Sequence, residues 1–146
     1  MTNRFMTSGD PAPRGDLRTE MGLLGRVPTL TDAPASLLRA MCEVGYVVTV
    51  RPNWSLICEQ TAPEKAYVLL DGEVDVRRSH VELGRCHPGE ILGELGIVRH
   101  RLRSATVVTA STATVLHLSR SAFEQLHLEH PYFRTLVGEA TLRKTA

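Results

Sequence analysis

Between Val44 and Leu118 the chain is cut into short runs of β-branched and aromatic residues, each closed by a turn signal, and few folds tolerate that pattern. The runs are Tyr46-Val47-Val48-Thr49-Val50, Ser55-Leu56-Ile57-Cys58, Ala66-Tyr67-Val68-Leu69-Leu70 and Glu73-Val74-Asp75-Val76. Pro52-Asn53, Ala62-Pro63 and Asp71-Gly72 separate them, and such dipeptides punctuate strands because they set or free φ. Asp71-Gly72, placed between two such runs, predicts a tight hairpin. Val81-Glu82-Leu83 is a further short strand, and His87-Pro88-Gly89 turns the chain again. After an interruption over 93–102, strands resume with Ala105-Thr106-Val107-Val108-Thr109 and Ala113-Thr114-Val115-Leu116-His117-Leu118. Seven or eight strands at this spacing predict a barrel or jelly roll.

On either side the period changes to that of helices. Asp32 as N-cap, Pro34 in the first turn and the face Leu37, Leu38, Met41 predict a helix over 33–42. Ser119 or Ser121 caps a helix carrying Phe123, Leu126 and His127, and Pro131 opens a last one with the stripe Phe133, Leu136, Val137, Ala140. Residues 1–22 are rich in Thr, Ser, Gly, Pro and Arg without periodicity, so a flexible leader is expected before a folded domain over 23–146. A net charge of +1 argues against a protein built to coat nucleic acid or anionic membrane. No apolar run approaches the roughly 18 residues of a membrane span, and the N-terminus lacks the layout of a signal peptide. The three cysteines are odd in number, far apart and without a Cys-x-x-Cys pair, which argues against a disulfide framework or a metal site and suits a reducing cytoplasm.

Within the interruption lies the chemistry. Gly93-Glu94-Leu95-Gly96-Ile97 precedes Arg103-Ser104-Ala105-Thr106-Val107. Gly93 allows close backbone approach and positive φ. The turn of helix after it would aim free N–H groups at an anion. Arg103 offers a planar fork of donors suited to two phosphate oxygens, and the Ser104 hydroxyl and Ala105 N–H complete a phosphate cradle. Glu94 is a poor neighbour for phosphate but a good acceptor for a ribose 2′-hydroxyl. Together these residues suit a cyclic phosphate attached to a ribose.

Both halves of this cassette, so spaced in a strand-rich chain, resemble the phosphate-binding cassette of cyclic-nucleotide-binding domains. The likeness runs from about Leu24 to Leu142 and includes Val50-Arg51-Pro52-Asn53, Tyr67 to Val74, and Ser119-Arg120-Ser121-Ala122-Phe123. It implies a mainly β fold, an eight-stranded β-roll with an N-terminal helix and two C-terminal helices. It also implies ligand contacts from Gly93, Glu94, Leu95, Gly96, Arg103, Ser104 and Ala105, with Glu94 on the 2′-hydroxyl and Arg103 and Ser104 on the phosphate. In the family, Thr at the position of Ser104 accompanies cGMP preference, so the resemblance implies cAMP first and cGMP second. Three departures stand out. Pro52-Asn53 replaces Pro-Gly, Thr61 stands where Gly is common, and the sequence stops before the base-contacting part of the family's long final helix, leaving the base lid to a shortened helix, a partner or nothing.

Other chemistries find less support. The six histidines form no His-x-His pair and no His-Glu-x-x-His helix, so no metal is expected, and no His sits readably near Ser104 to make it a nucleophile. No helix-turn-helix follows the last helix, which argues against a transcription factor. The expectation is a non-enzymatic sensor without cofactor whose last helix is read by a partner protein or a second copy. The competing expectation is a ligand-independent interaction or assembly domain on the same roll.

Overall fold

A computed structural model describes residues 15–145, and the strand series within them closes into a β-roll. The eight strands are β1 (Tyr46–Val50), β2 (Ser55–Ile57), β3 (Lys65–Asp71), β4 (Val74–Arg78), β5 (Val81–Cys86), β6 (Ile91–Leu92), β7 (Thr106–Thr109) and β8 (Ala113–Ser119). Antiparallel pairing gives two four-stranded sheets, ordered β1-β8-β3-β6 and β2-β7-β4-β5. Helices α1 (Leu17–Arg26) and α2 (Ala35–Val44) precede the roll, α3 (Glu94–Arg99) interrupts it, and α4 (Arg120–Glu129) and α5 (Pro131–Thr145) follow.

β3 shows how the layers are held. Its residues from Ala66 to Leu70 are all buried, because side chains alternate between two cores. Ala66, Val68 and Leu70 join Leu116, Leu118 and the helical residues Leu24, Leu37, Met41, Phe123 and Phe133 outside the roll. Tyr67 and Leu69 point the other way, to Val48, Leu56, Val74, Leu92, Val107 and Val115 between the sheets. A strand buried on both faces reads as a continuous apolar run, and this one does. The stripe predicted on the last helix is in place, with Phe133, Leu136, Val137 and Ala140 all buried. Ser119 Oγ accepts from the Ala122 N–H at 3.1 Å as the N-cap of α4, a contact of about 1 kcal/mol.

Three local expectations are corrected. Among the described residues, regular structure begins at Leu17, inside the stretch expected to be a flexible leader, because Leu17, Met21, Leu23 and Leu24 pack against the helical core; residues 1–14 of that leader lie outside the described residues. α2 starts at Ala35 rather than residue 33: Pro34, extended at φ −60° and ψ 143°, takes the N-cap position, and no side chain caps the helix. Asp71-Gly72 is a turn but not a hairpin. β3 and β4 lie in different sheets, and Gly72, at φ +88°, carries the chain between them. A Cβ there would lie 2.5 Å from the Thr112 carbonyl oxygen, so only glycine fits. The two-residue hairpin joins β4 to β5 through Ser79 and His80, both at positive φ, with Arg78 opposite Val81.

No helix among the described residues is long and apolar enough to cross a membrane.

Candidate functional site

The site begins where β6 ends. Gly93 takes φ +86°, and a Cβ there would stand 2.7 Å from an Arg103 guanidinium nitrogen and 2.8 Å from Ile57 Cδ1. Any other residue would strain the backbone and displace the arginine. Gly93 thereby starts α3, which closes at His100, itself left-handed at φ 52°, with the Arg101 N–H donating to the Gly96 carbonyl at 3.1 Å. The chain then turns back and brings Arg103 under the start of α3.

Arg103 is 5% exposed and fixed at both ends. Its backbone N–H donates to the Thr61 carbonyl at 2.9 Å, and its carbonyl accepts from the Gln60 N–H at 2.8 Å. Its guanidinium donates to the carbonyls of Gly93 and Lys65, tying the two cassette halves to β3. Burial pulls Arg103 below its ordinary pKa, while Tyr67, Glu94 and Glu64 pull it back. The group stays cationic, since guanidinium is not deprotonated in proteins.

These elements floor a cavity of about 480 Å³, within the roughly 300–1,000 Å³ range of small-ligand sites. Of the residues expected to contact ligand, Gly93, Leu95, Gly96, Arg103, Ser104 and Ala105 line it. Ser104 is exposed, and its carbonyl accepts from Arg78 Nε at 2.9 Å. Arg78, Arg85, Arg101, Arg143 and Lys144 also reach the wall, against the single carboxylate Glu90, so the cavity favours an anion.

Glu94 is the exception among the predicted residues. It is fully buried and does not line the cavity, although Gly93 and Leu95 on either side do. Its Oε1 accepts from Lys144 Nζ at 2.5 Å, and its Oε2 has no partner among the described residues. Lys144 also donates to the Ile91 carbonyl at 2.9 Å. The final helix therefore reaches the pocket: Ala140, Arg143 and Lys144 of α5 stand in its wall. Packing through Phe133, Leu136, Val137 and Ala140 lays α5 against the roll and delivers its last turn there.

Sequence reasoning missed Lys144 and Arg78. Lys144 lies 50 residues from Glu94, and no local spacing links the two. Arg78 ends a strand among other arginines, where a solvated face is the ordinary reading. The departures Pro52-Asn53 and Thr61 are accommodated. Asn53 is left-handed at φ 61°, and the Thr61 hydroxyl donates to the Cys58 carbonyl at 2.5 Å.

Roll, glycine-started helix and buried arginine at an anion-receptive cavity define a small-ligand binding module. The chain belongs to the cyclic nucleotide-binding domain family, whose sequence profile matches residues 47–130. It is 28% identical over 133 residues to the cyclic nucleotide-gated potassium channel mll3241 of Mesorhizobium japonicum, covering 90% of this chain and 36% of the channel. The chain thus spans about a third of that relative's length. In fold it is similar to the regulatory domain of Toxoplasma gondii PKA crystallised with cAMP, at TM-score 0.72 and 17% identity, covering 86% of this chain and 49% of that one. It is equally similar to the regulatory subunit of a cAMP-independent protein kinase A from Trypanosoma brucei, at TM-score 0.70 and 20% identity, covering 88% and 45%.

Proposed function

We propose that this chain is a cyclic-nucleotide sensor that prefers cAMP, acts without chemistry of its own, and passes the ligand state to a partner through α5. The observation that carries the reading is that two oppositely charged side chains, Glu94 and Arg103, are both buried close to Gly93 at the floor of one cavity. Burying charge is costly unless it is paired or used, and neither group is fully committed within the fold. Arg103 would face the cyclic phosphate with the Ser104 hydroxyl and Ala105 N–H, while Glu94 would accept the ribose 2′-hydroxyl. The base would lie toward α5, near Ala140 and Arg143. The three free thiols suit a cytoplasmic setting.

Isothermal titration with cAMP, cGMP and 5′-AMP tests this. The expected result is micromolar binding of cAMP, a several-fold weaker response to cGMP, and little binding of the acyclic nucleotide, whose phosphate carries more charge and lacks the ring geometry. Equal binding of 5′-AMP and cAMP would remove the cyclic-phosphate assignment. The second reading, a ligand-independent interaction domain, gains from the cover that Lys144 places over Glu94; absence of binding by any of the three would favour it.

A further inference from the structure

Lys144 stands between Glu94 and the cavity. Its Nζ holds Glu94 Oε1 at 2.5 Å and the Ile91 carbonyl at 2.9 Å, and its side chain is 35% exposed while that of Glu94 is 0%. Lys144 lines the cavity wall and Glu94 does not. A ligand hydroxyl entering from the cavity therefore meets the lysine before the carboxylate.

From this we infer that Lys144 is a latch: it occupies the ribose-recognition carboxylate in the free protein, and a ligand's 2′-hydroxyl must displace it, releasing the last turn of α5. The inference rests on the assignment of Glu94 to the ribose given above. The anchoring of α5 confines the release to that turn. Upstream, the Tyr132 hydroxyl donates to the Thr29 carbonyl at 2.9 Å, and Phe133, Val137 and Ala140 are buried. Beyond Ala140 no residue from 141 to 144 is buried, and Lys144 ties this turn to the floor of the cavity.

The exchange is physically balanced. Glu94 loses a cation but keeps Arg103, whose guanidinium feels its charge, and gains a hydroxyl donor. Lys144 recovers its hydration. The cost of opening lowers apparent affinity by the fraction of molecules in the open state, and only a ligand that differs in affinity for the two states shifts them. A ligand without the 2′-hydroxyl has no means of taking Lys144's place. The latch thus makes the ribose hydroxyl the group that is read by α5, while the phosphate supplies attraction common to all cyclic nucleotides.

Lys144→Met, which keeps the length of the side chain and removes its charge, tests this in two measurements. Calorimetry gives the ratio of the dissociation constants of 2′-deoxy-cAMP and cAMP. That ratio is insensitive to any general loss of positive charge at the cavity, which would weaken both ligands alike. It is expected to widen by about threefold to fivefold in Lys144→Met, the size of effect that a partly exposed ion pair supports. An unchanged or narrower ratio, with cAMP still bound, overturns the latch alone. No binding of cAMP or cGMP by the wild-type chain overturns the ribose assignment and the latch with it. The second measurement is hydrogen exchange over 138–145. In the wild type, saturating cAMP should speed exchange of the last turn while saturating 2′-deoxy-cAMP does not, and free Lys144→Met should already exchange fast. Protection that is unchanged or increased by cAMP would overturn the latch.

Discussion

Two buried carboxylates on the same roll, Asp75 and Glu94, are treated in opposite ways. Asp75, on β4, has both oxygens taken: Arg85 Nε donates to Oδ1 at 2.9 Å and an Arg77 guanidinium nitrogen to Oδ2 at 3.2 Å. Burial pushes this carboxyl up, but the hydrogen bonds from Arg85 and then Arg77 outweigh it and hold it below the ordinary carboxylate value. Glu94 is more deeply buried yet has only Oε1 engaged, by a lysine from the far end of the chain. A carboxylate with every acceptor met by its own sheet belongs to the scaffold. One that is half met, by a residue on a terminal helix beside a cavity, can exchange its partner. The ion network on β4 and β5 is thus structural, and Glu94, beside the cavity, is where the proposed ligand would act.

The largest expected effect comes from Arg103→Ala. Arg103 is both the buried cation offered to phosphate and the clamp on the Gly93 and Lys65 carbonyls, so its loss should weaken cAMP binding by two to four decades, roughly 3–5 kcal/mol, and lower the melting temperature as well. Calorimetry alongside thermal melts reads both. A variant that melts lower but binds cAMP unchanged would leave Arg103 as scaffold only, and erase the contrast with Asp75.

Neutralising each carboxylate in turn gives a smaller and more pointed comparison. Glu94→Gln should bring the affinities of cAMP and 2′-deoxy-cAMP together by about tenfold, because the amide is a weaker acceptor for the hydroxyl. Asp75→Asn should leave both affinities alone and cost about 1 kcal/mol of stability in urea unfolding. That contribution has a defined pH dependence. With the folded pKa below the unfolded one, it is fully present above the unfolded value near 3.8 and is lost as pH falls through the folded value. Acid titration of the wild type and Asp75→Asn should therefore converge only below about pH 4. Convergence at neutral pH would mean that the ion network carries no stability.

What could be read from sequence divides along the same line. The cassette was legible because its chemistry is local: Gly93 sets the turn, α3 follows at once, and Arg103 returns within one loop. The strands were legible because each is a short run rich in β-branched and aromatic residues closed by a turn signal. Asp71-Gly72 misled because the dipeptide specifies a left-handed turn, not which sheet the next strand joins. The hairpin at Ser79-His80 passed unnoticed because neither residue is a usual type I′ former. α1 was hidden because its four apolar residues, Leu17, Met21, Leu23 and Leu24, stand among Gly, Thr and charged residues. The partner of Glu94 could not be read at all, since a contact between residues 94 and 144 is set by how α5 packs and not by any pattern near either residue.

In the proposed reading, cyclic nucleotide binds at the Gly93–Arg103 floor of the cavity. Backbone amide chemical-shift mapping of the isotopically labelled chain during titration with cAMP tests it most directly. The largest shifts should fall on residues 93–97 and 103–106, with a second set on residues 140–145 of α5, while the Asp71–Gly72 turn at the far end of β3 stays still. Largest shifts centred on β4 and β5, or none at millimolar cAMP, would contradict it.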